Sequence, residues 1–401
     1  YEKNFRLRMW IDNNADFSQG DMNNKTFTVT VNVYSTGKVV DGNLDTDNTL
    51  KNLSVDNCTL SPAFSSNVTE YSCTVTNDIT NIMISAEANS NSAKIKGMGG
   101  KNLTVGTNNL PVRVIAEDGS EKVYIVKVTR REAINIFGKS YEVIEKEPTL
   151  TTSNNNTNDE SGLYKSTLTN TGEPTYYFRG NVENNYVSFA GYTWRIVRIN
   201  EDGTIRIIMQ DGINNNTTYV YNTNYSNYTY MYYSNSEAKS TVENWYNTNI
   251  GNNDYSSYIA SGSYFCEEAK VKYTSSYTSG NVNTPIYSDY IPSFKCKTDA
   301  NGKGIVNANI GLLTYDEALY AGGYPYKDGN NLYYLYNGNN FWMMSPCGVI
   351  NNSNKNVYTW VIASGSIHAS IINNKTVAII MRPIVNLNST ITATGSGTST
   401  D

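Results

Sequence analysis

The chain has 401 residues, a formal net charge of −5 and only 17% charged residues. Its length predicts two or three domains, and its weak acidity argues against nucleic acid as a partner, since nucleic-acid binding needs a basic face. It contains no run of about 18 apolar residues, so we expect no membrane insertion. Its polarity comes from Asn, Ser, Thr and 33 Tyr. These residues are typical of binding loops, although AT-rich codons also favour Asn and Tyr.

Residues 1–42 are predicted to form a partial β-sandwich. Apolar and polar residues alternate over two stretches, Phe5–Ile11 and Thr26–Val33, as they do in half-buried strands. Two strands alone are marginal in water, so we expect this segment to pack on the next domain or on chain that precedes Tyr1. Because the chain starts with neither Met nor a signal peptide, we interpret it as mature or trimmed.

Residues 43–131 predict a complete β-sandwich, because short alternating runs recur between turns. Asp118 and Gly119 lie between two such runs, which is a strong hairpin signal. Five segments carry a resemblance to the bacterial cadherin-like β-sandwich family: Leu60–Phe64, Tyr71, Leu103–Asn108, Ala116–Gly119 and Tyr124–Arg130. The resemblance implies a stalk or spacer. True cadherins bind calcium through clustered carboxylates that this segment lacks, so we expect no metal.

The spacing of the five cysteines favours two disulfides. Cys58 and Cys73 bracket a hairpin-sized loop, and Cys266 and Cys296 bracket a longer one. None lies in a C-x-x-C pair, which argues against zinc. Disulfides indicate an oxidising, extracellular setting. Cys347 is either a buried thiol or an alternative disulfide partner for Cys266 or Cys296.

Residues 132–161 are predicted to be a linker. Thr151–Asn158 has no periodicity and few apolar residues, which is typical of a flexible connection. Ile134–Val143, at the start of this stretch, also fits a strand.

Residues 162–401 predict a domain that mixes strands with two helices. A buried hairpin is expected where the apolar runs Tyr192–Ile199 and Thr204–Met209 flank a turn. One helix is predicted over Ser236–Asn247, with Ser236 as its N-cap. The other covers Thr314–Ala321, where Thr314 and Glu317 form a capping box.

The order of motifs in this domain resembles a recurring module of Firmicute surface proteins with the C-type-lectin-like and formylglycine-generating-enzyme-like fold. Four segments carry the resemblance: Tyr192–Ile199, Thr314–Gly323, Trp342–Pro346 and Arg382–Leu387. It implies that small sheets and two helices brace irregular loops that bind carbohydrate, protein or substrate. It also implies a variable segment before the final Arg-Pro strand, here Gly348–Ala378. The predicted fold is therefore mainly β, with Ig/cadherin-like sandwiches followed by an α+β C-type-lectin-like head.

The predicted ligand-binding residues lie in that segment. Aromatic rings stack on apolar sugar faces, while amides and hydroxyls bind polar edges. On this ground seven residues are selected: Asn352, Ser353, Asn354, Tyr358, Trp360, His368 and Asn373. A second aromatic run, Asn224–Tyr233, fits either an exposed patch or a loop packed over the helices, and we favour packing. Arg382 is expected to bind loop carbonyls.

Catalysis finds little support in the sequence. His368 is the single histidine, and no Ser-His-Asp set, H-E-x-x-H, P-loop or G-x-G-x-x-G motif is present. Formylglycine-generating enzymes use a close pair of cysteines, whereas only Cys347 lies near the relevant strand. A sulfatase-modifying activity that depends on Cys347 is therefore a remote alternative. We expect no catalytic residue, cofactor or metal.

The sequence thus predicts a non-enzymatic, extracellular adhesin of the bacterial cell surface. Its head is expected to recognise a host or bacterial surface glycan or protein. The alternative is a structural subunit of a surface filament or pilus, in which an edge strand of one copy completes the incomplete sandwich of the next and assembly depends on residues 1–33. That alternative predicts self-association.

Overall fold

A computed structural model describes residues 44–148, 150, 159–267, 292–296, 304–325, 333–350 and 356–400. The described chain is mainly β, as predicted. Its elements belong to one compact unit, Thr46–Asp401, and Tyr1–Asp45 forms another. The two strands predicted within residues 1–42 lie outside the described residues.

The first domain is a two-sheet sandwich. One sheet has the strand order β1-β3-β5, and the other has the order β2-β7-β6-β4. The strands are β1 (Leu50–Val55), β2 (Glu70–Val75), β3 (Asn81–Ala88), β4 (Lys94–Lys96), β5 (Gly99–Asn102), β6 (Gly106–Ile115) and β7 (Glu121–Arg130). Within β2, Tyr71, Cys73 and Val75 are buried while their neighbours are exposed, so alternation places one face of the strand in the core.

Two features of the sandwich follow directly from the sequence. Gly119 takes a φ of 86° in the turn between β6 and β7, a conformation that glycine adopts without strain. Cys58 and Cys73 form a disulfide with a Cα–Cα distance of 5.8 Å. The predicted hairpin and this disulfide are both confirmed.

The second domain is organised on a sheet with the strand order β20-β14-β13-β11-β10-β9-β8, and β12 also pairs with β13. The strands are β8 (Ala133–Ile136), β9 (Lys139–Ile144), β10 (Gly162–Ser166), β11 (Thr175–Arg179), β12 (Tyr186–Phe189), β13 (Tyr192–Ile199), β14 (Ile205–Met209) and β20 (Ile384–Leu387).

The start of this sheet changes the boundary expected from the sequence. The stretch 132–161, predicted to be a linker, begins with β8 and β9, whose Ile136 and Val143 are buried in the core of the second domain. Only Arg131 and Glu132 separate β7 from β8. Apolar burial in these two strands therefore extends the sheet to Ala133, before the expected domain start at residue 162.

Two smaller sheets complete the domain. β15 (Tyr264–Cys266) pairs with β16 (Ile305–Asn307), and β17 (Phe341–Ile350), β18 (Asn356–Ala363) and β19 (Ser366–Ile371) form an antiparallel sheet. Cys266 and Cys296 form the second predicted disulfide, with a Cα–Cα distance of 5.2 Å.

The helical segments are short. They are α1 (Ile213–Asn216), α2 (Glu237–Tyr246) and α3 (Tyr315–Tyr320), with 3-10 turns at Tyr228–Met231, Tyr233–Asn235 and Asp254–Tyr258 and a π turn at Asn247–Gly251. Ser236 caps α2 by accepting a hydrogen bond from Lys239 N, and Thr314 and Glu317 form the capping box of α3. Both predicted caps are confirmed.

A buried charge cluster joins α3 to the main sheet. Glu317 Oε1 accepts hydrogen bonds from Arg206 Nη1 at 2.5 Å and from Arg198 Nε at 3.2 Å. Burial opposes ionisation of Glu317, but the two arginines overcome it and hold its pKa at about 2. Arg206 Nε also donates to Asn386 Oδ1 of β20. The cluster therefore ties three strands and a helix together.

Candidate functional site

The segment predicted to bind ligand is the hairpin of β17 and β18, continued by β19. Residues 351–355, between β17 and β18 in the sequence, include Asn352, Ser353 and Asn354 and lie outside the described residues. Those three residues remain a prediction. The other four predicted residues, Tyr358, Trp360, His368 and Asn373, lie in the described part of the segment.

Trp360 is a core residue, which corrects its expected place on the surface. Its side chain is 1% exposed, and its ring centroid lies 4.6 Å from that of Tyr315 at the start of α3. The many Asn and Ser residues elsewhere in Gly348–Ala378 suggested exposure. However, both faces of β18 are covered here, because Val361 and Ile362 are also buried. The ring of Trp360 therefore has no face to offer a ligand.

Tyr358 and His368 do not share a face of the sheet. Trp360 pairs with Ala369 and Val361 pairs with His368, and directly paired residues point to the same side. Tyr358 therefore shares a face with Trp360, and His368 lies on the opposite face. Tyr358, His368 and Asn373 are each partly exposed, but the structure does not bring the described residues of the prediction together into one site.

Arg382 has the structural role that the sequence predicted. It is fully buried, and its Nε and Nη1 donate to the main-chain oxygens of Met209 and Leu335. Its guanidinium lies 4.7 Å from the ring centre of Phe341. Burial lowers the pKa of Arg382 to about 10, so it stays charged at neutral pH.

The Tyr-rich run Asn224–Tyr233 is partly core. Met231, Tyr232 and Tyr233 are buried, while Tyr225 is 43% exposed. The second half of the run therefore packs into the domain, as we favoured.

A different surface combines exposed aromatic rings with amides. It begins at the tight turn between β12 and β13, where Ala190 and Gly191 have φ values of 52° and 78°. This turn places Phe189 directly opposite Tyr192. Such a cross-strand pair has its Cβ atoms about 5 Å apart, so the two rings belong to one patch.

The aromatic half of this surface comes from three separate segments. Phe189 contacts Tyr255 and Tyr258 edge-on, with ring centroids 5.8 and 6.2 Å away. Tyr255 and Tyr258 are 41% and 46% exposed. Tyr192 contacts the buried Trp245 of α2 at 5.1 Å. Exposed rings thus rest on a buried aromatic base that limits their movement.

The polar half is a left-handed turn made of three asparagines. Asn214, Asn215 and Asn216 have φ values of 50°, 57° and 60°, so α1 is a single left-handed turn. This conformation costs most residues about 1–2 kcal/mol each, and asparagine tolerates it better than most. Asn216 Oδ1 accepts from Gly212 N at 2.5 Å, and Asn214 Nδ2 donates to the Tyr219 hydroxyl at 2.7 Å. All three asparagines are exposed.

A cleft of about 580 Å³ joins the two halves. It is lined by Gly191–Thr193, Met209, Asp211–Gly212, Asn214–Asn216 and Trp245. Its volume lies within the range of about 300–1,000 Å³ that small-ligand pockets have. We call the cleft together with Phe189, Tyr255 and Tyr258 the aromatic–amide surface.

Sequence reasoning missed this surface because its rings are brought together only by the fold. Phe189 is far in the sequence from Trp245 and Tyr255, and no periodic pattern connects the three residues. One local signal was available. Three consecutive asparagines follow the buried strand β14, and asparagine is the residue after glycine that most readily adopts a left-handed conformation.

Reactive groups are scarce in the described part of the chain. Cys347 is buried, and burial raises the pKa of its thiol, which disfavours the nucleophilic thiolate. Among the described residues, no group of three or more His, Cys, Asp or Glu side chains could hold a metal ion. The helices described here are all too short or too polar to cross a membrane.

Comparison with known proteins identifies the first domain. No curated protein matches the chain. The family model of the cadherin-like beta sandwich domain matches residues 50–131, which contain strands β1–β7. The chain therefore carries a cadherin-like β-sandwich, and this domain together with the two disulfides indicates an extracellular or secreted protein.

Proposed function

We propose that the chain is a non-enzymatic adhesin of the bacterial cell surface whose C-terminal head, of the C-type-lectin-like type, binds an external glycan or protein. The observation that carries the proposal is the aromatic–amide surface, where exposed Tyr rings adjoin a cleft lined by asparagines. Tyrosine supplies rigid amphipathic contact area, and Asn supplies adaptable hydrogen bonds, the combination found in binding loops.

Preorganisation of the rings supports a binding role. Tyr255 and Tyr258 already contact Phe189, which in turn packs on Trp194 with ring centroids 6.2 Å apart. Ordering a mobile side chain on binding costs about 0.5–1.5 kcal/mol. Rings that are held in place before the ligand arrives avoid part of that cost.

The sandwich suits the role of a spacer. Asn77 N donates to Glu142 Oε1 of β9 at 2.6 Å, and Asn77 Nδ2 donates to Arg131 O at 2.7 Å. The first bond connects the sandwich directly to β9 of the head, and the second connects it to the short junction between β7 and β8. A spacer of this kind would present many heads from one cell, and multivalency then strengthens weak individual contacts.

The test is binding of the full chain to host cells and mucin-coated surfaces. The double variant Tyr255→Ala, Tyr258→Ala is expected to bind at least about tenfold more weakly, which corresponds to about 1.4 kcal/mol. Tyr225→Ala is the matched control, because Tyr225 is equally exposed but takes no part in the aromatic–amide surface. Unchanged binding by the double variant, or an equal loss in the control, would contradict the proposal.

The filament alternative stays a prediction, since the segment that motivates it, residues 1–42, lies outside the described residues. Its signature remains concentration-dependent assembly of the chain.

A further inference from the structure

We infer, on the basis of the proposed function, that the aromatic–amide surface binds a neutral carbohydrate, whose ring stacks on the exposed tyrosines while its hydroxyls bind in the adjoining cleft. Of the two ligand classes in the proposed function, glycan and protein, this surface suits a glycan that carries no charge. Three features of the surface support a neutral carbohydrate as the ligand.

The first feature is the pairing of aromatic faces with amides. A sugar ring has an apolar C–H face and a polar rim, so it needs a flat apolar partner beside hydrogen-bonding groups. Tyr255 and Tyr258 are each more than 40% exposed. The pair Phe189 and Tyr192 links these rings to the cleft. A ligand that stacks on the tyrosines can therefore reach the cleft without leaving the surface.

The second feature is the choice of asparagine in the left-handed turn. Glycine would adopt three consecutive positive φ values with less strain. The backbone conformation alone therefore does not explain why these positions carry asparagine side chains. An amide carries two N–H donors and one acceptor oxygen. Asn214 Nδ2 donates a hydrogen bond to the Tyr219 hydroxyl, and Asn216 Oδ1 accepts one from Gly212 N. The Asn214 oxygen and the Asn216 NH2 group remain for a ligand, as does the amide of Asn215.

The third feature is the charge of the cleft. Asp211 is the one charged residue among those that line it. Its carboxylate can accept hydrogen bonds from two neighbouring hydroxyls, but it repels an anionic sugar. The buried Arg382 interacts electrostatically with Asp211, yet Arg382 is fully buried and cannot meet a ligand. Neutral sugars therefore fit better than sialylated or sulfated ones.

The experiment is glycan-array binding of the full chain, with each neutral glycan matched to its sialylated form. We expect neutral glycans to bind at least tenfold better than their sialylated partners. Asp211→Asn should narrow that gap, because it removes the repulsive charge and keeps a hydrogen-bonding group. A preference of the full chain for sialylated glycans would overturn the inference.

Asn215→Gly provides a sharper variant, since glycine keeps the left-handed backbone and removes only the amide. We expect a loss of at least fivefold in glycan binding with an unchanged melting temperature. Equal binding by this variant and by the parent chain would contradict a role for the amide cleft.

Failure of the inference can be separated from failure of the proposed function. Host cells treated with periodate, which oxidises sugar diols, should no longer bind the chain. If treated cells still bind it and Tyr255→Ala, Tyr258→Ala abolishes that binding, the ligand is a protein. In that case the proposed function stands and the carbohydrate inference fails. If neither glycans nor untreated cells bind the chain, both fail.

Discussion

Replacing Glu317 by Gln tests whether the buried charge cluster holds the head together. Gln can preserve the capping box with Thr314 but removes the negative charge that faces Arg198 and Arg206. Both guanidinium groups are buried, so the variant leaves two positive charges without a carboxylate partner.

The expected loss can be worked out in two ways. Removing one partner of a buried ion pair typically costs about 3–5 kcal/mol. Independently, the arginines lower the pKa of Glu317 from its ordinary 4.5 to about 2, and this shift corresponds to about 3 kcal/mol of stability at neutral pH. We therefore expect Glu317→Gln to reduce the free energy of unfolding by about 3 kcal/mol.

Urea unfolding followed by tryptophan fluorescence reports mainly on the head, because four of the five tryptophans lie in the head and the sandwich, residues 43–131, contains none. Glu243→Gln is the matched control. Glu243 also pairs within 2.5 Å, with Lys239 in the same domain, but its side chain is 36% exposed. An exposed pair of this kind contributes about 0.3–0.5 kcal/mol. Losses that agree within about 0.5 kcal/mol for the two variants would refute the reasoning, because surface changes have effects of that size.

The same cluster predicts an acid-dependent loss of stability. Because the pKa of Glu317 is depressed on folding, its contribution is complete above about pH 4.5 and disappears as the pH falls toward 2. The parent chain and Glu317→Gln should therefore differ most near neutral pH and converge toward pH 2. A difference that is constant over this range would contradict the charge argument.

Three further predictions concern the core and the cysteines. In urea unfolding, Trp360→Ala should destabilise the head by about 3–5 kcal/mol, and Tyr358→Ala should destabilise it by less than half of that. Equal losses for the two variants would place Trp360 outside the core. Cys58→Ser should lower the stability of the sandwich by about 3 kcal/mol through the loss of a 15-residue loop closure, measured by calorimetry, and a change below about 1 kcal/mol would argue against a stabilising disulfide. Cys347 should resist thiol reagents in the native chain and react once urea unfolds the head; rapid native labelling would contradict its burial.

Local signals were sufficient to predict much of the fold. The Asp118-Gly119 turn fixed a hairpin because glycine has few competitors in that conformation. The spacing of Cys58 and Cys73 predicted their disulfide, and the Thr314–Glu317 pattern predicted a capping box. Each of these signals acts within about 15 residues, and tertiary packing had no reason to override it.

The candidate site depended on information that the sequence spreads widely. Trp360 lies in a segment, Gly348–Ala378, that is rich in Asn and Ser, yet it is buried, and Tyr315 at the start of α3 packs against its ring. The aromatic–amide surface needs Phe189, Trp245 and Tyr255 to converge. Those contacts depend on the packing of β12 and β13 against α2 and against the 3-10 turn Asp254–Tyr258. No local sequence pattern predicts this packing.

Hydrogen–deuterium exchange of the full chain, with and without its tightest-binding array glycan, tests the central claim most directly. The account predicts that the glycan slows exchange in peptides covering 189–193, 211–217 and 254–258, the segments that form the aromatic–amide surface. Protection confined to residues 348–378, with those three segments unchanged, would contradict the account and return the binding site to the β17–β18 hairpin.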